Sequence, residues 1–316
     1  MRLRFVACMV TAAVAAISGG CGHVVTRTTV TPSAARPVAK DATREELIER
    51  YNAVARGVRS LNATVELKPT AGSKYSGVIQ EYHEVKAFLL VARPASIRVI
   101  GQVPVIGKTA FDMASDGETF RVSIPSKNKF LVGSVANTRT SDKPIENLRP
   151  EHLLEAFLWP EIRTGEEVLF EEYNDDSGRY YVLTVLRGGY RTEILRKIWF
   201  DRADLQVARI EEFAPKGLLS ADIHFSDWRQ VDPSAPGANT TAATAADATS
   251  LFAHTIIIDR PHDDYRLDLQ VTKITLNDEI PAARFQLDQP PGSELVHVGD
   301  DAQKSVAPAP AQDHRP

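Results

Sequence analysis

Five places along the chain gather side chains able to move a proton or bind a metal: His83-Glu84, His152, His224, His254 and His262-Asp263-Asp264. None has the H-E-x-x-H spacing that puts two imidazoles on one helix face around zinc with a carboxylate beside them. The acidic pairs Glu166-Glu167, Glu171-Glu172 and Asp175-Asp176 fall near turn residues. They read as solvated charge rather than as the two carboxylates of a glycosidase. No G-x-S-x-G elbow and no phosphate-binding G-x-x-x-x-G-K-[ST] loop occurs. The expectation is a protein that is not an enzyme, with no cofactor and no metal.

The residue with the most definite chemistry is Cys21. Arg2 and Arg4 precede an uncharged run, Phe5–Ile17, which ends in Ser18, Gly19 and Gly20. That is the layout of a secretory signal peptide. The run is too short to span about 30 Å of hydrocarbon, which needs roughly 20 residues. A cysteine straight after small residues resembles the bacterial lipobox, whose cysteine is acylated after cleavage. Residues 1–20 are therefore expected to be a lipoprotein signal peptide, with lipid (palmitate among its chains) on Cys21. The alternative is an ordinary signal peptide cut nearby, because Ser18 stands where the motif usually has Leu. Gly22 lacks the Asp that retains lipoproteins at the inner membrane in enteric bacteria, which favours the periplasmic face of the outer membrane.

Cys8 leaves with the signal peptide, so the mature chain has one thiol and no internal disulfide. A cysteine-based zinc site is excluded as well. Losing Arg2 and Arg4 takes the formal charge from −4 to −6. A mildly acidic chain without a basic run is a poor partner for nucleic acid.

Three stretches are poor in large apolar groups: residues 21–42, 233–250 and 301–316. They read as a flexible tether, a disordered loop and a disordered tail. Between them, 43–300 is expected to form a single domain. Thr43 and Glu46 form a capping-box pattern. Leu47, Tyr51, Val54, Val58 and Leu61 then follow at helical spacing. Pro150–Trp159 is a second helix candidate, stopped by Pro160 and Gly165.

The rest reads as about a dozen short strands, rich in Val, Ile, Phe and Tyr, from Ala63–Lys68 and Ser76–Val85 to Arg266–Leu276 and Arg284–Leu287. Asp116-Gly117 and Asp175–Gly178 mark hairpins. So wide a sheet must curl or pair with itself. With only two helices to cover it, its concave apolar face is expected to keep a cavity.

The order of "SLNATVELK" (Ser60–Lys68), "RPASIRV" (Arg93–Val99), "SDGETFRVSIPSKNKFLVG" (Ser115–Gly133) and "LNDEIPAARFQLDQPPG" (Leu276–Gly292) resembles the LolA/LolB-like superfamily. Its members are periplasmic lipoprotein carriers, outer-membrane lipoprotein receptors and related uncharacterised lipoproteins. The resemblance implies a mainly β fold: a strongly curved, antiparallel, incomplete (half) β-barrel with a helical lid. It implies an apolar cavity for a lipid or a lipoprotein acyl chain, in lipoprotein sorting or lipid transport.

Leu47, Tyr51, Val54 and Val58 would then line the cavity or its lid, or serve as plain core. Val105 and Ile106, in the loop Gly101–Gly107, would insert into a bilayer or gate the cavity, or pack in the core. Arg93 and Arg98 lie where the carriers use a basic residue to hold lids closed, although exposed strand arginines are common. The alternative function is a structural or regulatory envelope lipoprotein that docks a protein partner.

Overall fold

The computed structural model describes residues 37–73, 78–136, 147, 149–175, 178–189, 192–231 and 251–298. Cys21, the signal segment, most of the tether, the 233–250 stretch and the 301–316 tail lie outside the described residues.

Helix α1 (Arg44–Gly57) starts where the capping pattern puts it. Thr43 Oγ1 accepts from the Glu46 N–H at 3.2 Å, and Glu46 Oε2 accepts from the Thr43 N–H at 2.8 Å. Two otherwise unpaired donors of the first turn are thereby satisfied. The helix ends earlier than the apolar spacing suggests. Val58 is the extended C-cap and Leu61 already belongs to a strand, so neither is on the helix face. Both are still buried, because the chain turns straight from the helix into the sheet.

The first meander contains β1 (Ser60–Ser73), β2 (Val78–Glu81), β3 (Val85–Ala92), β4 (Ser96–Gln102), β5 (Thr109–Ser115), β6 (Thr119–Ile124) and β7 (Lys129–Ser134). Helix α2 (Pro150–Phe157) follows. The second meander contains β8 (Glu167–Asn174), β9 (Arg179–Arg187), β10 (Glu193–Asp201), β11 (Val207–Ala214), β12 (Leu218–Gln230), β13 (Leu251–Arg260) and β14 (Tyr265–Leu276). A last short strand, β15 (Glu294–Val298), runs parallel to β7.

All fifteen join one sheet in the order β15-β7-β6-β5-β4-β3-β1-β14-β13-β12-β11-β10-β9-β8, with β2 beside β1. Apart from β15–β7 every pairing is antiparallel. The end strands β8 and β15 do not pair with each other, so the curved sheet is a half-barrel that stays open.

Pairing of β1 with β14, from Leu61↔Leu276 to Ala71↔Tyr265, joins the two meanders. Leu61, Ala63, Val65 and Leu67 alternate inward on β1; Tyr265, Leu267, Leu269 and Val271 do the same on β14. The chain leaves β7 near one edge and re-enters at β8, the opposite edge. Between the two in sequence, α2 packs against β4, β5 and β13.

Two expectations need correction. Ser76–Val85 is not one strand: β2 covers only Val78–Glu81, and the backbone leaves the ladder before β3. Arg284–Leu287 is not a strand either. Ala282–Phe285 is a 3-10 turn. Its neighbour β4 is already paired on both sides, so no ladder position is left. The carbonyls of Arg284 and Gln286 instead accept from the Arg98 guanidinium at 3.0 and 3.2 Å.

Candidate functional site: an aromatic interior under two helices

The interior between helices and sheet is walled by Val54, Val58, Ala156, Phe157, Trp159, Phe225, Trp228, Phe252 and Ala253. These come from α1 and its cap, from α2 and the residues after it, and from β12 and β13. The wall is apolar throughout, but the open space is only about 10 Å³, roughly one water molecule. This crevice is therefore nearly filled, and aromatic side chains fill it.

Trp159 is the central plug. Its indole stacks on Tyr51 (5.4 Å between centroids, 7° between planes) and meets Phe225 edge-on at 5.2 Å and Trp228 at 6.4 Å. It is 5 % exposed, and its Nε1 donates to the Ala156 carbonyl at 3.3 Å. Leu47 and Tyr51 are fully buried, Val58 is buried and Val54 is half-buried. Of the four, Val54 and Val58 line the crevice, Tyr51 backs the plug, and Leu47 is core.

One side chain reaches both covering segments. Arg93, at the end of β3, donates from Nε to Val58 O (2.9 Å) and from Nη2 to Ala55 O (2.6 Å) and Trp159 O (2.9 Å). It thus ties the last turn of α1 and Trp159, two residues past the end of α2, to one strand end. A cation is favoured at a helix C-terminus, where carbonyls lack intrahelical partners. Arg98 does not share this role: it is bound to Asp112 at 2.8 Å and to the Arg284–Gln286 segment. Asn52 adds a second tie, exchanging two hydrogen bonds with the backbone of Ile162 (3.0 and 2.8 Å).

Helix α2 is anchored by polar groups the sequence did not single out together. Arg260 on β13 pairs with Glu155 of α2 at 2.8 Å and with Asp263 at 2.6 Å. His152 Nδ1 and the Tyr265 hydroxyl form a short hydrogen bond. Burial pushes the His152 pKa well down, and Arg260 and Arg149 push the same way, so the ring is neutral. Burial also raises the Glu151 and Glu155 carboxyls. His152 holds helix to sheet; among the described residues no cluster of His, Cys, Asp and Glu is arranged to hold a metal.

On β11, Glu212 lies opposite Arg196 in the ladder and on the concave side. Burial pushes its carboxyl up to about 7, against the opposing pull of Arg196. The folded-state value lies above the ordinary 4.5, so the folded chain holds this proton more tightly than the unfolded one. The stability from this group is fully present below about pH 4.5 and is lost as pH rises through about 7. Glu212→Gln is therefore expected to remove a decline that the parent protein shows between pH 5 and 8. Urea midpoints at both pH values check this; parallel profiles would contradict it.

The β4–β5 loop points the other way. Val103 is 37 % exposed, Ile106 67 %, and Val105 fully exposed. Val105 and Ile106 are thus outside the core. Hydrogen bonds from Gly107 N to Val103 O (3.0 Å) and Val103 N to Lys108 O (2.9 Å) hold the tip in a tight turn. Val105 adopts φ 71°, unusual for a β-branched residue.

Together these features define an open half-barrel whose aromatic interior is covered by two helices. Three solved structures are similar in fold. A LolA superfamily protein from Nitrosomonas europaea has 12% identity and a TM-score of 0.46, covering 78% of this chain and 99% of its own. A DUF1329 family protein from Desulfovibrio piger has 13% identity and a TM-score of 0.45, covering 76% and 97%. A putative outer membrane lipoprotein-sorting protein domain from Vibrio parahaemolyticus has 11% identity and a TM-score of 0.43, covering 77% and 97%. No protein-family model matches the sequence, and no curated protein matches it. No helix among the described residues is long and apolar enough to cross a membrane.

Proposed function

We propose that this protein is a cell-envelope lipoprotein, anchored through Cys21 to the periplasmic face of the outer membrane. On this reading it binds a lipid or a lipoprotein acyl chain between the curved sheet and the two helices. The observation that carries the reading is the aromatic interior, plugged by Trp159 and tied shut by Arg93 through hydrogen bonds to three backbone carbonyls. Such bonds are each worth about 1.5–3 kcal/mol when one partner is charged, less where water screens them. They can break without leaving a buried charge, since Arg93 itself reaches solvent. An acyl chain entering the space gains about 0.8 kcal/mol per buried CH₂, enough over several carbons to offset opening.

Native mass spectrometry of the protein released gently from membranes tests this: co-purifying lipid is expected, and its absence at every release condition would count against the reading. Arg93→Met is expected to lower stability by about 1–3 kcal/mol and to raise uptake of an apolar fluorescent probe several-fold. An unchanged probe signal in that variant would remove Arg93 from the opening step. Palmitate labelling that persists in Cys21→Ala would remove the anchor.

The exposed Val103, Val105 and Ile106 tip supports contact with a bilayer near the anchor. Val105→Asp with Ile106→Asp is expected to leave the melting temperature unchanged, since exposed sites contribute within about 0.5 kcal/mol. It is also expected to weaken binding of Cys21→Ala protein to phospholipid vesicles about tenfold. Equal vesicle binding with and without the two substitutions would exclude the tip.

A second reading, a lipoprotein docking a protein partner, is favoured by one feature. The edge strand β8 carries Leu169, Phe170 and Tyr173, each more than 40 % exposed. A free strand edge with apolar side chains is a template for pairing with another chain.

A further inference from the structure

Among the described residues, two of the buried polar atoms without partners sit on side chains that meet the segment Trp159–Glu161. The Tyr51 hydroxyl is completely buried on the underside of α1 and makes no hydrogen bond. The guanidinium of Arg196, a residue 5 % exposed on the concave side of β10, donates from Nη2 to Glu161 O at 3.2 Å and lies 3.7 Å from Glu166. Its Nε–H is buried and has no acceptor. The two side chains meet the same short segment: Tyr51 stacks on Trp159 at 5.4 Å between centroids, and Arg196 donates to the carbonyl of Glu161, two residues further on.

A buried donor without an acceptor costs about 1–3 kcal/mol, and native interiors keep few of them. Both orphans here are donors, on side chains that hold the segment Trp159–Glu161 from the helix side and from the sheet side. We propose that Tyr51 Oη and Arg196 Nε form a carbonyl-binding subsite that holds the ester or amide carbonyl at the head of an acyl chain, while the chain occupies the space Trp159 gives up. This rests on the acyl-binding reading above and specifies its ligand as a carbonyl-bearing acyl lipid.

A neutral acceptor fits better than an anion. Arg196 already faces Glu166, and Glu212 stands across the ladder from it. Glu212 is itself pushed up to about 7, so the region resists a further negative charge. A carbonyl oxygen has two lone pairs and can accept from both donors at once. The aromatic walls, Phe157, Phe225, Trp228 and Phe252, suit the hydrocarbon that follows the carbonyl.

The test uses the full chain carrying Cys21→Ala and two probes with the same headgroup and chain length: 1-palmitoyl-lysophosphatidylcholine, with an ester carbonyl, and 1-O-hexadecyl-lysophosphatidylcholine, with an ether oxygen. Binding is followed by tryptophan fluorescence and by competition in native mass spectrometry. The ester is expected to bind about tenfold more tightly than the ether. Tyr51→Phe keeps the ring stacked on Trp159 and removes only the hydroxyl, so it is expected to erase most of that preference. Arg196→Lys retains the charge without the Nε donor and is expected to act in the same direction.

Equal binding of ester and ether would overturn the carbonyl subsite and leave acyl binding intact. Binding of neither would overturn the acyl-binding reading beneath it. Palmitate anion binding more tightly than the ester, with Tyr51→Phe leaving the ester unaffected, would replace the subsite with an anion site and also overturn the proposal.

Discussion

Trp159→Ala is expected to lower stability by about 3–5 kcal/mol, the range for removing a buried aromatic side chain. The ring is 5 % exposed and touches Tyr51, Phe225 and Trp228, so three aromatic contacts go with it. Each such contact is worth about 0.5–1.5 kcal/mol beyond its burial. The functional consequence runs the other way. With the plug gone, the space between Val54, Val58, Phe157 and Phe252 opens, and apolar probes should enter it. Urea unfolding measures the loss, and titration with an apolar fluorophore under native conditions measures the gain. A variant that loses stability without gaining probe binding would show that the interior collapses on itself, and Trp159 would then be core and nothing more. Trp159→Phe, which keeps an aromatic stack, is expected to fall between the two on both measures.

The second large effect is expected at Arg260. This guanidinium is 9 % exposed in its side chain and holds Glu155 at 2.8 Å and Asp263 at 2.6 Å. Removing one partner of a buried pair leaves the other charge uncompensated and costs about 3–5 kcal/mol. Glu155 is more open than Asp263, so the loss from Arg260→Met should lie at the lower end of that range. The variant would loosen α2, because Glu155 is on that helix and loses its bond to β13. The pH dependence has a definite sign. Without Arg260 the Glu155 carboxyl loses the charge and hydrogen bond that oppose its burial, so its folded-state pKa rises further. The folded variant then binds protons more readily than the unfolded chain. Its deficit against the parent should shrink as pH falls from 7 to 5. Denaturation midpoints at both pH values check this, and hydrogen exchange shows whether protection is lost first in Pro150–Phe157. A deficit that widens on acidification would mean that the ion pairs are not what fixes the helix.

Much of the architecture was legible in the residues. Thr43 with Glu46 marks the start of α1 to the residue, because a capping box is a local arrangement that needs nothing distant. Asp116-Gly117 marks the β5–β6 hairpin for the same reason. Asp116 Oδ1 accepts from Glu118 and Thr119, and Gly117 takes φ 95°. Alternation in β1 and β14 announces a sheet with one buried face. The errors came where a local pattern competed with a distant partner. "RFQL" at residues 284–287 looks like a strand, but the adjacent ladder is full and Arg98 takes its carbonyls. "ELVHV" is too short to stand out, and only the free edge of β7 makes it β15.

The mainly β class, the two helices and their places in the order are readable from the residues alone. The sequence also carries the apolar composition of the faces that meet inside and the loop that bears Val105 and Ile106. Periodicity and turn chemistry are written over a few residues each, so they can be read without the fold. The three-dimensional packing alone settles that Trp159 fills the crevice, that Arg93 rather than Arg98 ties both helices, and that Tyr51 and Arg196 each end with an unpaired donor. Those facts depend on which side chains arrive at one point from positions 51, 93, 159 and 196. Long-range packing sets that convergence, and spacing along the chain carries no trace of it.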